Sequence, residues 1–206
     1  MTDKRVAILL DGGFVKKRLG CKGHVPAAAD VEDYCAKLMQ NKPLQGQELF
    51  RIYYYDAPPY DGVAANPISG QTVNFSCTKH SRNCKALIDS LEMKPLFAVR
   101  RGKLKFTDWK IGGAAFKQLK KGRKSTVDAN DLIPNFVQKG VDMRIGLDIA
   151  WMAIKRIADI LVLVAGDSDY VPAMKLARRE GLHVYLDTIG SPLISPELKM
   201  HADLVL

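Results

Sequence analysis

Four apolar, β-rich runs that each end at an aspartate constrain this chain more than any other feature. Arg5-Val6-Ala7-Ile8-Leu9-Leu10 stops at Asp11-Gly12-Gly13, and Leu49 to Tyr55 stops at Asp56 before Ala57-Pro58-Pro59. Ile160 to Val164 runs into Gly166-Asp167-Ser168-Asp169, and His183 to Leu186 meets Asp187. Runs apolar at consecutive positions suit strands buried on both faces, as in a parallel sheet. Helical spacing separates them. Asp30 to Gln40 carries Val31, Tyr34, Cys35, Leu38 and Met39 on one face, with Asp30 placed to cap it. A second helix is expected from Asp142 to about Ile157, and a third up to Glu180, where Gly181 stops it. Strands alternating with helices predict an α/β fold, with helices on both faces of a mostly parallel sheet and ligands at the carboxyl ends of its strands.

Residues 60 to 125 break this rhythm and read as an insertion into one domain spanning residues 1–206. A helix is expected near Asn83 to Lys94, and a hairpin with Leu96 to Val99 against Leu104 to Thr107 around Arg101-Gly102. The charge is concentrated here. Of a net +9, Lys79 to Lys124 contributes fourteen Lys/Arg against three acids, or +11, leaving −2 for the rest. A local basic excess suits phosphates, and a solvated surface insertion accounts for it equally well. Lys16, Lys17, Arg18, Arg100, Arg101 and Arg144 are the cations placed to steer a nucleic-acid backbone.

The acids are the chemical signal. Asp11, Asp56, Asp167 with Asp169, and Asp187 all fall at one edge of the expected sheet, and Asp142 opens a helix near that edge. Carboxylates gathered within a few ångströms repel unless protonated or neutralised, and hard cations such as Mg2+ or Mn2+ are the usual neutralisers. Such an ion activates water and offsets charge on a phosphodiester oxygen, which is nuclease chemistry. Simpler roles exist for several of these residues. Asp142 and Asp169 suit helix starts, and Asp56 and Asp187 read as turn residues. Asp11, between a buried strand and a Gly-Gly turn, is harder to assign to structure alone, as is the Gly166-Asp167-Ser168-Asp169 segment. Asp148, in mid-helix between Leu147 and Ile149, needs a partner if buried and is expected to support the site together with Ser168.

Three segments together resemble the LabA-like branch of the NYN family, within the PIN-like nuclease superfamily. They are Ile8-Leu9-Leu10-Asp11-Gly12-Gly13-Phe14, Gln138-Lys139-Gly140-Val141-Asp142-Met143-Arg144 running on to Leu147-Asp148, and Leu163-Val164-Ala165-Gly166-Asp167-Ser168-Asp169-Tyr170-Val171-Pro172. Leu198-x2-His201-Ala202-Asp203 is similar to the close of these domains. The resemblance implies a Rossmann-like (PIN-like) three-layer α/β/α domain that binds magnesium or manganese and cleaves RNA. The carried-over ligands are Asp11, Asp142, Asp167 and Asp169. One departure is Gly13-Phe14, where many relatives place an asparagine after the first aspartate.

Other classes fit less well. A haloacid-dehalogenase-like phosphatase needs a second aspartate where Gly13 stands, and His24, His80, His183 and His201 show no local arrangement with Ser or Cys for a triad. The alternative to a probable endoribonuclease is a weak or inactive RNA-binding adaptor of the same fold. Cys21, Cys35, Cys77 and Cys84 read as reduced thiols, and the irregular Cys21-x2-His24 and Cys77-x2-His80-x3-Cys84 spacings argue against structural zinc. The apolar run before Asp11 is only five residues long, too short for a signal or membrane segment, so a cytoplasmic protein is expected, acting on single-stranded RNA, with homodimerisation open.

Overall fold

The computed structural model describes residues 4–21 and 24–206. In chain order the elements are β1 (Arg5–Asp11), α1 (Gly12–Leu19), α2 (Ala28–Met39), β2 (Glu48–Asp56), β3 (Val63–Ala65), β4 (Thr72–Asn74), α3 (Lys79–Glu92) and β5 (Phe97–Arg101). They continue with β6 (Lys103–Ile111), α4 (Gly113–Lys120), β7 (Leu132–Lys139), α5 (Val141–Lys155), β8 (Ile160–Val164), α6 (Val171–Arg179), β9 (His183–Asp187), α7 (Pro196–Met200) and β10 (Leu204–Val205). The signal-segment expectation rests partly on residues 1–3, which lie outside the described residues. Among the described residues, no helix is long and apolar enough to cross a membrane.

Six strands form one sheet in the order β10-β9-β8-β1-β2-β5, every pair parallel. Period-two geometry divides β1 between two cores. Ala7 and Leu9 face the layer of α5 and α6, where Ile145, Ile149 and Met174 are buried. Val6, Ile8 and Leu10 face α1, α2 and α3, where Val15, Val31, Cys35 and Leu91 are buried. The tyrosine run in β2 obeys the same rule, Tyr53 and Tyr55 lying on the α5 side and Tyr54 on the other. This is the three-layer α/β/α arrangement that the sequence predicts.

The order of strands locates the site. From β1 the chain steps outward to β2 and β5, then returns to the other flank of β1 through β8, β9 and β10. The carboxyl ends of β1 and β8 therefore flank a topological switch point, with Asp11 on one side and the Gly166–Asp169 turn on the other. Gly12 makes the turn after β1 possible. A Cβ there would lie 2.7 Å from the Tyr55 carbonyl oxygen, so only glycine lets α1 start this close to β2.

Several local expectations change. Phe97–Arg101 does not pair in a hairpin but adds to the main sheet beside β2, reached through α3 as a β-α-β crossover. Its expected partner, Leu104 to Thr107, lies in β6 (Lys103–Ile111), which instead pairs antiparallel with Leu132–Lys139. Thus 60–125 is not one uninterrupted excursion: α3 and β5 belong to the sheet. The segments outside it are the β3–β4 ribbon and the stretch from β6 through α4 to β7. Asp30 is three residues inside its helix; Ala27 occupies the cap position, and the Asp30 carboxylate accepts from the Ala27 N–H at 2.7 Å. Gly140, at φ 77°, precedes α5, which places Asp142 in the first turn rather than at the cap.

Candidate active site

An open cleft of about 710 Å3 lies at the switch point. Asp11 enters it from the end of β1, Asp142 from the first turn of α5, and Asp167 and Ser168 from the turn after β8. Lys17 and Arg18 of α1 line the same cleft, and Arg18 is held by donating from Nη2 to the Ile189 carbonyl at 2.8 Å. Asp142 lies where the helix dipole favours a negative charge. Asp167 accepts from the Asp169 N–H at 3.1 Å, an N-terminal cap on the short 3-10 turn Ser168–Tyr170.

Tyr170, which the sequence reading did not single out, joins two of the acids. Its buried ring carries a hydroxyl 3.0 Å from Asp11 Oδ2 and 2.9 Å from Asp142 Oδ1. A hydroxyl has one proton to donate. It can serve only one of the two carboxylates fully at a time. Burial raises the pKa of Asp11, the Phe14 N–H and the Tyr170 hydroxyl oppose the rise, and the Asp142 charge adds to it. Tyr170 is raised as well, by burial and then by Asp11, so its hydroxyl keeps its proton at neutral pH.

Among the described residues, no three Asp, Glu, His or Cys side chains gather tightly enough to enclose an ion unaided. The cleft offers hard oxygen donors instead: Asp11 and Asp142 linked through one hydroxyl, with Asp167 and Ser168 on the next loop. Magnesium commonly takes one or two carboxylates and keeps several waters, so this donor set fits it.

The other expected residues are placed differently. Asp169 is exposed and does not line the cleft. Asp148 accepts from the Tyr55 hydroxyl at 2.8 Å and from Arg100 Nε at 3.1 Å, which ties α5 to β2 and β5 instead of supporting the cleft acids. Arg100 is thereby neutralised, its guanidinium also lying 5.3 Å from the centre of the Tyr53 ring. Arg101 pairs with Glu92 and Asp89. Arg144 donates to the Gly140 carbonyl at 2.7 Å, at the mouth of its own helix. Lys16 turns away from the cleft to a buried pair with Asp56, at 2.7 Å. Asp56, read from the sequence as a turn residue, is 1% exposed and also accepts from the Ala57 N–H and the Tyr54 hydroxyl. Asp187 does behave structurally, accepting from Tyr34 and from the Ile189 N–H.

Comparison with known proteins agrees with the fold. No curated protein matches. A crystal structure of a protein of unknown function from Vibrio parahaemolyticus is similar, with a TM-score of 0.51 at 18% identity over 99% of this chain and 92% of that one. The family model for the NYN domain matches residues 98–206, from β5 through the cleft loops at Asp142, Asp167 and Tyr170 to the end of the chain. Over half of its length, and with a nuclease-type, Rossmann-like α/β/α architecture, this chain belongs to the NYN domain family.

Proposed function

We propose that the protein is a metal-dependent ribonuclease cutting RNA phosphodiester bonds internally at the switch-point cleft. The observation that carries this reading is the Asp11–Tyr170–Asp142 bridge, in a cleft whose rim also holds Lys17 and Arg18. Three acids of the cleft, Asp11, Asp142 and Asp167, together with Ser168, are the proposed holders of Mg2+ or Mn2+. When bound, such an ion supplies Lewis-acid chemistry, making water a competent nucleophile and offsetting charge on the phosphodiester.

The chain's own groups do the rest. Lys17 and Arg18 bring a phosphate into the cleft, and Arg18's anchoring to Ile189 limits the entropy lost when it binds. Tyr170 holds Asp11 and Asp142 at a fixed spacing, its hydroxyl donating toward both carboxylates. The openness of the cleft suits a strand passing through, hence internal cutting of single-stranded RNA. A cytoplasmic setting belongs to this reading, and a catalytically weak or inactive RNA-binding adaptor of the same fold is its alternative.

The test uses end-labelled single-stranded RNA and matching DNA with Mg2+, Mn2+ or EDTA, beside Asp142→Asn and Asp167→Asn. Metal-dependent RNA cleavage, lost in EDTA and reduced by about 10²-fold or more in each variant, is the expected outcome. RNA bound but never cut under any metal would replace the nuclease reading with the adaptor.

A further inference from the structure

A second cavity, of about 440 Å3, adjoins the cleft, and nothing in the nuclease reading requires it. Its walls are aromatic. Tyr60 and Phe75 come from the segment around the β3–β4 ribbon, and Trp109 and Phe136 from the β6–β7 pair. Phe106 packs behind them, 6.0 Å from Trp109 and 5.9 Å from Phe136 between ring centres.

An irregularity in β6 creates this wall. Phe106 pairs with Phe136 but Asp108 pairs with Asn135, so the strand carries one extra residue at Thr107. Strict alternation from Leu104 and Phe106 would turn Asp108 to the aromatic side. The bulge shifts the phase by one, and Trp109 takes that place. Its indole Nε1 is buried with no hydrogen-bond partner, the only such side-chain atom among the described residues. A buried N–H without an acceptor carries a penalty, which marks this part of the wall as incompletely satisfied by the protein's own groups.

The cavity also has polar groups at defined places. The Lys16–Asp56 pair lies at one end, and the Gln138 amide, without a protein hydrogen bond among the described residues, lies at the boundary. Gln138 lines both the cavity and the acidic cleft. Neighbouring residues of α1 divide in the same way, Lys16 facing the cavity and Lys17 and Arg18 the cleft. A ligand spanning the two would place an anionic group beside Lys17 and Arg18 and a flat, apolar-faced group with a hydrogen-bonding edge between the aromatic rings. A volume of this size lined by apolar rings with a few polar groups is typical of a small-molecule site.

We propose that this cavity is a nucleobase pocket, which takes one unpaired base of the RNA strand whose phosphate occupies the cleft. The inference rests on the RNA reading above and deepens it, because it assigns base selection to the β6–β7 pair rather than to the acids. Every base offers a π-face to the rings, so stacking supplies affinity, and Gln138 and the Lys16–Asp56 pair read the edge.

Trp109 is its own reporter. The chain has two tryptophans, and the other, Trp151 on α5, is exposed and does not line the cavity. Adenosine, guanosine, cytidine and uridine are titrated without metal into 15N-labelled full-length protein, and the two indole N–H resonances are followed. Saturable movement of Trp109 alone is expected, with Phe136→Leu weakening binding by about tenfold through lost stacking. Gln138→Ala, at an exposed position that leaves the fold intact, is expected to change the order of preference among the four. If no nucleoside moves Trp109, or if both indoles move equally, the pocket is refuted even where RNA is cleaved. A Trp109 response in a protein that cuts nothing keeps the pocket and removes the nuclease.

Discussion

Lys16→Met is the perturbation whose cost follows most directly from the geometry. Asp56 is 1% exposed, and its carboxylate receives Lys16 Nζ at 2.7 Å, the Ala57 N–H at 2.8 Å and the Tyr54 hydroxyl at 3.3 Å. Removing Lys16 leaves a buried anion with only neutral donors, and breaking a buried pair from one side typically costs about 3–5 kcal/mol. The lysine side chain retains 22% of its exposure, so water screens part of the interaction, and about 2–3 kcal/mol is the appropriate estimate. For a chain of this size that is a fall in Tm of roughly 4–12 °C. The assay is urea unfolding of wild type, Lys16→Met, Asp56→Asn and the double variant, read by tyrosine and tryptophan fluorescence. Each single change is expected to destabilise, and the double by less than their sum, because neither charge is then stranded. A Lys16→Met protein within about 0.5 kcal/mol of wild type would refute the reasoning, since it would mean that Asp56 is adequately satisfied by its neutral donors.

Further outcomes follow from the cleft and the thiols. Asp11 has a pKa raised in the fold, so its contribution is greatest below 3.8 and is lost as pH rises through the raised value. Asp11→Asn is therefore expected to be more stable than wild type at pH 7, with the gap closing toward pH 3.5; urea midpoints at the two pH values measure it. Tyr170→Phe removes the group that spaces Asp11 and Asp142, so millimolar MgCl2 should raise its Tm more than that of wild type, and equal increments in a thermal-shift assay would count against the bridge. Burial, reinforced by Glu32, pushes the Cys35 thiol up to about 12, and burial also raises Cys84. Native alkylation at pH 8, read by mass spectrometry, should therefore modify the exposed Cys21 and Cys77 and spare the other two.

What was legible in the sequence was what repeats locally. β1 announces itself by an apolar run, Asp11 by ending it, and the Gly166-Asp167 turn by following β8, because burial on both faces leaves a compositional trace. Pairing partners leave none. Arg101-Gly102 between two strand-like segments looks the same whether the strands fold on each other or, as here, part to join different sheets. Tyr170 was invisible for a related reason: three residues after Asp167, it reads as the first apolar residue of a helix, and only the approach of α5 reveals the use of its hydroxyl. The phase of Trp109 depends on a single bulged residue, to which alternation rules are blind. Charge counts also ignore neighbours: Arg100, Arg101 and Lys124 all lie beside acidic partners that composition does not reveal.

Lys103 and Lys139 face each other across the β6–β7 ladder, which means that the stretch between them departs from and rejoins the framework at nearly one point. Closing a loop whose ends already meet costs only a logarithm of its length. Evolution is therefore free to lengthen, shorten or exchange this cassette without re-registering β5 or disturbing α5. Paralogues sharing the same acids would then diverge here first, and a graft of this one segment, spliced at Gly102 and Gly140, becomes the natural unit for moving substrate preference between them.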